Sequence, residues 1–251
     1  MNRYGTTTVD IRGQGFIYTD QTRFTHGTLR VQGVHEFTPE TRVRLRYYYA
    51  PNQYLGENEE RRSGMQESLA SEVLTSHIWS ARVEQALTPS LEVRLLTRYG
   101  KRLYNENFSQ RNTDFWTIGP HMEWKVLPRA RLGLSYHYER GLADGRNQPQ
   151  FKDDVSYVNH YASIDVDIEV AERLTLMTAF HYELNNWTSG IVGDERRGAH
   201  EHVYQGEVML VREITDTARI FVGFQRSNRK ESFETESIKN TNVGIGLNMT
   251  F

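Results

Sequence analysis

The chain has 251 residues, 37% apolar and 25% charged, with a formal net charge of −2, no cysteine, and 14 Tyr, 11 Phe and 4 Trp. The near-neutral balance argues against a nucleic-acid partner, and the lack of cysteine excludes disulfides, Cys-ligated metals and covalent haem. No window approaches about 18 apolar residues, which rules out a membrane-spanning helix, yet aromatic richness with low aliphatic content suits strands that bury only one face in lipid.

The N-terminus, Met1-Asn-Arg-Tyr-Gly, has no apolar stretch and reads as a mature start with any export signal removed. The first strand is expected over roughly Thr6 to Thr19, with Val9 and Ile11 on one face and Asp10, Arg12 and Gln14 on the other. A second runs from Thr28 to Phe37, with Leu29, Val31 and Phe37 outward and Arg30, Gln32 and Glu36 inward. It stops at Thr38-Pro-Glu-Thr41, where Pro39 suits a tight turn because its φ is fixed and it donates no hydrogen bond. The third strand sets Val43, Leu45, Tyr47 and Tyr49 against Arg42, Arg44, Arg46 and Tyr48. The chain then turns polar from Ala50 to Leu69 before alternation resumes from about Ala70 to Leu87.

The same grammar repeats. Tight turns at Thr88-Pro-Ser90, Leu127-Pro-Arg-Ala130, Ala171-Glu-Arg173 and Thr215-Asp-Thr-Ala218 each lead into an alternating strand that becomes aromatic about seven residues later. Longer polar links fall near 105–112, 143–153, 185–199 and 229–236. The last strand places Val243, Ile245, Leu247, Met249 and Phe251 on one face and Gly244, Gly246, Asn248 and Thr250 on the other. The pattern yields twelve strands, five tight turns and six links, the link after the first strand being short.

Short connections at one rim and long ones at the other, with strands long enough to cross a bilayer, predict an all-β fold. The expected architecture is a closed, up-and-down antiparallel transmembrane β-barrel of about 12 strands, a single domain over residues 1–251. Closure follows because lipid tolerates no unpaired strand edge. A propeller is the soluble rival, since the tight turns recur every forty to fifty residues, but its Gly-His and Trp-Asp signatures are missing. Leu45, Val93, Ile118, Leu134, Val166, Leu176, Val222 and Ile245 are expected on the lipid face. Tyr47, Tyr49, Tyr99, Tyr136, Tyr138, Tyr182 and Phe224 form one aromatic level, and Phe37, Trp124 and Phe251 the other. Ordinary β-propensity also enriches Tyr and Phe.

The inward set then holds Arg42, Arg44, Arg46, Arg94, Arg98 and Arg102 on one wall and Asp165, Asp167 and Glu169 on another. Twelve strands tilted by about 40° enclose a backbone radius of roughly 11–12 Å, so inward side chains leave a narrow water path. One reading is a constriction that favours anions along the arginines; the other is mutual pairing with Glu72, Glu84 and Glu92 on the neighbouring strands. Catalytic signals are sparse. Ser135 and His137 share a strand face at about 6–7 Å, long for a nucleophile and its base. Inward His121, His137 and His181, or His200 with His202, are weak metal candidates, and no metal or cofactor is expected.

The terminal strand with its final Phe251 resembles the assembly signal of bacterial outer-membrane β-barrels, and the whole chain resembles the small twelve-stranded porins of the oligogalacturonate-specific channel family. The resemblance implies outer-membrane localisation, contact with outer-membrane lipid and the barrel-assembly machinery, and passive diffusion of small polar or anionic solutes such as acidic oligosaccharides. Twelve-stranded autotransporter translocators carry a preceding helix through the lumen, which nothing before Thr6 would supply. The alternatives are an outer-membrane enzyme of lipase or protease type and a plugged structural or partner-binding barrel.

Overall fold

Tight turns, three of them flanked by a register shift (Ala86/Thr88, Lys125/Leu127 and Glu169/Ala171), organise the computed structural model, which describes residues 5–19, 21–59, 69–232 and 237–249. Twelve strands follow in order: β1 (Thr6–Phe16), β2 (His26–Glu36), β3 (Thr41–Glu59), β4 (Leu69–Thr88), β5 (Leu91–Tyr104) and β6 (Thr113–Leu127), then β7 (Ala130–Ala143), β8 (Tyr157–Ala171), β9 (Leu174–Trp187), β10 (His200–Glu213), β11 (Ala218–Glu231) and β12 (Ile238–Met249). Each pairs antiparallel with its sequence neighbours in a single up-and-down sheet. At the β2–β3 turn Phe37 N–H donates to Thr41 at 3.0 Å, and at the β10–β11 turn Ile214 N–H donates to Ala218 at 2.9 Å. The β8–β9 turn has no glycine; Arg173 itself takes the left-handed conformation, φ 58°.

Antiparallel pairing fixes one face per residue, because partners in register share a side. Leu45 opposes Ala81, Val93 opposes Gln85 and Met122, and Val222 opposes Leu210 and Ile245. The outer face therefore carries the apolar set, and Leu45, Ile118, Leu134, Val222 and Ile245 are all exposed. A continuous exposed apolar band on a sheet whose strands each exceed about 9–11 residues has a bilayer as its solvent. Rings flank it: Tyr47 lies 5.4 Å from Trp79, Trp79 stacks on Tyr99 at 5.9 Å, and Trp116 meets Tyr138 at 5.2 Å.

The sheet curls toward its polar face. Arg102 on β5 donates to the Tyr157 hydroxyl on β8 at 2.8 Å, three strands away. Inward glycines make room for rings: a Cβ on Gly100 would come 2.2 Å from Phe115, and one on Gly141 would come 2.3 Å from Tyr157. The expected closure requires a β1–β12 ladder; among the described residues the pairing ends at β1 on one side and β12 on the other.

One expectation needs correction. The polar stretch from Ala50 to Leu69 is not one long link, since β3 continues to Glu59 and β4 begins at Leu69. Register shifts at Ala50/Gln53 and Tyr54/Gly56, with Asn52 at φ 51° and Gly56 at φ 132°, break the period of two while the strands stay paired. The first strand is also shorter than expected, ending at Phe16, and a 3-10 turn at Thr22–Phe24 follows it. Phe251, the expected assembly signal, lies outside the described residues.

Candidate functional site: a charge-divided inner face

The inner face of β1 to β5 is a basic wall. A cavity of about 350 Å3 is bounded by Arg12, Arg30, Arg44, Arg46, Arg82 and Arg98, and no acidic residue is among its twelve lining residues. Alternation points each arginine inward, and sheet order then brings the five strands side by side. The nearest carboxylates are shared rather than matched one to one. Glu84, only 3% exposed, takes Arg42 at 2.7 Å, Arg44 at 3.3 Å and Arg82 at 3.9 Å. Asp10 lies 2.9 Å from Arg12 and 3.6 Å from Arg30. Arg46 spends its Nε and Nη2 donors on the neutral Gln32 carbonyl, at 3.1 and 2.9 Å. Among the described residues, the buried Nε atoms of Arg30 and Arg44 have no hydrogen-bond partner. Positive charge therefore exceeds negative charge locally, and at physiological salt it is felt over a Debye length of about 8 Å.

The six arginines expected from the sequence divide. Arg44, Arg46 and Arg98 line the cavity, while Arg42 lies beside it on Glu84. Arg94 is held by Glu92, which the pairing alternative names, at 2.5 Å and by Glu123, which it does not, at 2.8 Å. Arg102 sits nearer the long-loop rim, its guanidinium 4.5 Å from the Phe115 ring centre. Arg12 and Arg30 read as inward in the sequence, but their membership of this wall, and that of Arg82, depends on which strands adjoin.

The opposite wall is acidic. Glu123, Asp165, Asp167 and Glu207 line a second cavity of about 330 Å3 with His121 and His181. Asp167 accepts from Arg131 Nε at 3.0 Å, and Asp165 accepts the Ser163 hydroxyl at 3.3 Å. Glu169 lies instead toward the tight-turn rim, 4.0 Å from Arg129. A third cavity, about 380 Å3, joins the two walls and is bounded by Arg98, Arg102, Glu139, Tyr157 and Glu183 among others. There Tyr157 donates to Glu139 at 2.5 Å and Asn159 donates to Glu183 at 2.6 Å.

Above these cavities the long connections fold together, a feature the sequence concealed. Arg111, in the 3-10 segment Glu106–Arg111 between β5 and β6, donates to Glu72 on β4 at 2.8 Å and to Asp153 in the β7–β8 link at 2.7 Å. Arg196, from the β9–β10 link, donates to the other oxygen of Asp153 at 2.8 Å. Asp194 accepts from the Asp154 amide and the Ser189 hydroxyl. Phe108 and Asp153 are fully buried. Burial alone would raise the Asp153 carboxyl, but hydrogen bonds from Arg111 and Gln110 and the charge of Arg196 hold it below the usual carboxylate range.

The catalytic and metal candidates are dispersed. The Ser135 hydroxyl bonds Ser163 at 2.7 Å, and His137 stacks on Tyr161 at 5.6 Å. His121 contacts Glu123 at 3.3 Å and His181 bonds the Tyr161 hydroxyl at 2.7 Å. His200 and His202 meet edge to face at 5.4 Å. Among the described residues no group of three ligating side chains is placed to hold a metal.

Comparison with protein-family models and with curated proteins finds no match to this sequence. Solved structures do match in fold. The toluene transporter TodX of Pseudomonas putida aligns with TM-score 0.55 at 7% identity, over 98% of this chain and 78% of that one. OmpT, an outer membrane protein of Vibrio cholerae, aligns with TM-score 0.52 at 11% identity, over 97% of both chains. The KdgM porin in complex with disordered oligogalacturonate aligns at TM-score 0.40 and 8% identity, over 98% of this chain and 99% of that one, too low to carry the specific family. The fold is that of the bacterial outer-membrane β-barrels.

Proposed function

We propose that the chain, as a single domain over residues 1–251, closes through β1 and β12 into an outer-membrane channel that passes small polar solutes and favours anions. Closure rests on energetics: each unpaired backbone group in hydrocarbon costs several kcal/mol, and β1 and β12, of 11 and 12 residues, would pair antiparallel. Solute preference rests on one observation, the cavity bounded by six arginines with no acid among its lining residues. Acidic oligosaccharides fit this chemistry, because a ladder of guanidiniums meets carboxylates spaced along a chain. Passage of this kind needs no cofactor and no catalytic group. The outer-membrane lipid and, through Phe251, the assembly machinery are its expected partners.

Swelling of liposomes carrying the protein tests this reading. A monoanionic sugar should enter faster than a cationic sugar of equal size, and equal or reversed rates would contradict it.

A second reading has its own support. The loop layer with buried Phe108 and Asp153 fills part of the long-loop end, as a plugged partner-binding barrel would require. Swelling that no solute produces would favour that reading. An enzyme of lipase or protease type finds less support, because Ser135 is bonded to Ser163 and not to His137.

A further inference from the structure

The inner face of a sheet of this kind is ordinarily polar, and one stretch of it is not. Toward the tight-turn rim Met177 on β9 opposes Met209 on β10, and Val211 on β10 opposes Phe221 on β11, all on the side of the sheet that carries Glu207. The four side chains are half-buried, and glycines flank them. Gly223 opposes Met209, a Cβ on Gly246 would come 2.3 Å from the Phe221 ring, and Gly244 has nothing within 4 Å of that position. Apolar surface therefore faces the interior with open space beside it.

One step along the same strands the surface turns acidic. Asp165, Ala179 and Glu207 stand in one cross-strand row, so the two carboxylates spring from backbones about 10 Å apart with only a methyl group between them. Both bound the cavity of about 330 Å3 that also takes in Met177 and Met209. Its other acids are matched: Asp167 accepts from Arg131 Nε at 3.0 Å, and Glu123 pairs with Arg94 at 2.8 Å. Asp165 and Glu207 are held by neutral donors instead, the Ser163 hydroxyl at 3.3 Å and the Gln205 and Gln225 amides at 2.5 and 2.7 Å. Among the described residues the one basic side chain within ion-pair distance of either is His181, 4.0 Å from Glu207, and its Nδ1 is engaged by the Tyr161 hydroxyl.

We propose that this cavity binds an organic ammonium ion with an apolar tail, its head at Asp165 or Glu207 and its tail along Met177, Met209, Val211 and Phe221. An apolar lining with a few placed charges is the ordinary composition of a small-molecule site. The two carboxylates without a matched arginine or lysine select positive charge and repel an anion. A bare metal ion does not suit the site, because among the described residues no group of three ligating side chains is placed to hold one. Tail length follows from the strand. Residues on one face repeat every ~6.6–7 Å, so a tail of about five or six carbons reaches from the Glu207 row to the Met209 row. The site lies on the wall opposite the arginines, and its occupancy does not depend on whether the lumen conducts.

Methionine-methyl NMR of the full chain in an uncharged detergent tests it. Met122, opposite Val93, and Met249 lie on the outer face and report uptake by the micelle, whereas Met177 and Met209 report the cavity. Hexylammonium should shift the Met177 and Met209 signals saturably and leave Met122 and Met249 in place. It should bind about tenfold or more tightly than ethylammonium, since four further methylenes leave water. Hexanoate, of the same length and opposite charge, should not produce the shifts. In the double variant Asp165→Asn, Glu207→Gln the apparent affinity should fall about tenfold or more, while Asp216→Asn at the exposed tight-turn rim should retain it. The comparison of hexylammonium with hexanoate on the parent decides the matter even if the double variant does not fold. Equal shifts at all four methionines, equal binding of hexanoate, or unchanged affinity in a folded double variant would overturn the proposal.

Discussion

The Arg111 guanidinium, carried on the loop between β5 and β6, donates to the Glu72 carboxylate on β4 at 2.8 Å, fastening a connection to a strand wall 39 residues away in sequence. Both partners are buried, and Arg111 holds Asp153 as well. Removing one member of a buried pair leaves uncompensated charge and costs about 3–5 kcal/mol. Arg111→Ala should therefore release the loop layer while the sheet stays folded. Limited proteolysis of the folded protein in detergent should show new cleavage within residues 144–156 or 188–199, and an unchanged digest would show that the pair does not hold the loops.

The same latch should respond to acid. The Asp153 carboxyl is lowered in the folded protein, so its contribution is fully present above the unfolded carboxylate value of about 3.9 and fades as pH falls through the lower folded value. Burial also lowers the Arg111 guanidinium, but Asp153 and Glu72 outweigh that and raise it, so it stays charged throughout. Loop protection against hydrogen exchange should hold from pH 7 to pH 5 and weaken only below about pH 4. Loss of protection between pH 7 and pH 5 would assign the latch to another group.

Inward glycines bear packing, not flexibility. A Cβ on inward Gly100 would meet the buried Phe115 ring at 2.2 Å, whereas Gly33, on the outer face opposite Leu45, has nothing within 4 Å of that position. Gly100→Ala should destabilise by about 1–3 kcal/mol through overpacking. Gly33→Ala should stay within about 0.5 kcal/mol. Urea unfolding in detergent compares them, and equal midpoints would contradict the assignment.

Closure can be trapped chemically because the chain has no cysteine. Val9→Cys paired in turn with Val243→Cys, Ile245→Cys or Leu247→Cys places thiols on the outer faces of β1 and β12. One combination should form an intrachain disulfide in the membrane, since bridging requires Cα atoms within about 7 Å. Failure of all three would leave the two edges apart.

Strand parity was legible along nearly the whole chain because one lipid-facing and one water-facing side impose a period of two that residues such as Val43, Leu45 and Tyr47 display without tertiary help. The β3–β4 extension was not, since Pro51, Asn52 and Gly56 break the period where the ladder persists. Arg44, Arg46 and Arg98 were found by facing alone, but Arg12, Arg30 and Arg82 joined them only when strand order was known. The loop layer was hidden for a different reason. Arg111 and Asp153 each lie in a polar link that reads as solvated, and their partnership spans 42 residues. Glu169 shares the side of Asp165 and Asp167 but lies nearer the tight-turn rim, since alternation fixes a side of the sheet and not a height along it.

The central claim is that the arginine wall sets the passage of anions. Reversal potential across a bilayer in a salt gradient measures it most directly, with the parent beside the variant Arg44→Ser, Arg46→Ser, Arg98→Ser. The parent should conduct with a modest preference for anions, and the variant should shift toward cations with higher conductance, since charge and bulk leave the same wall. A parent that never conducts, or a variant with the parent's selectivity, would contradict the account and make the arginines a structural ion-pair network.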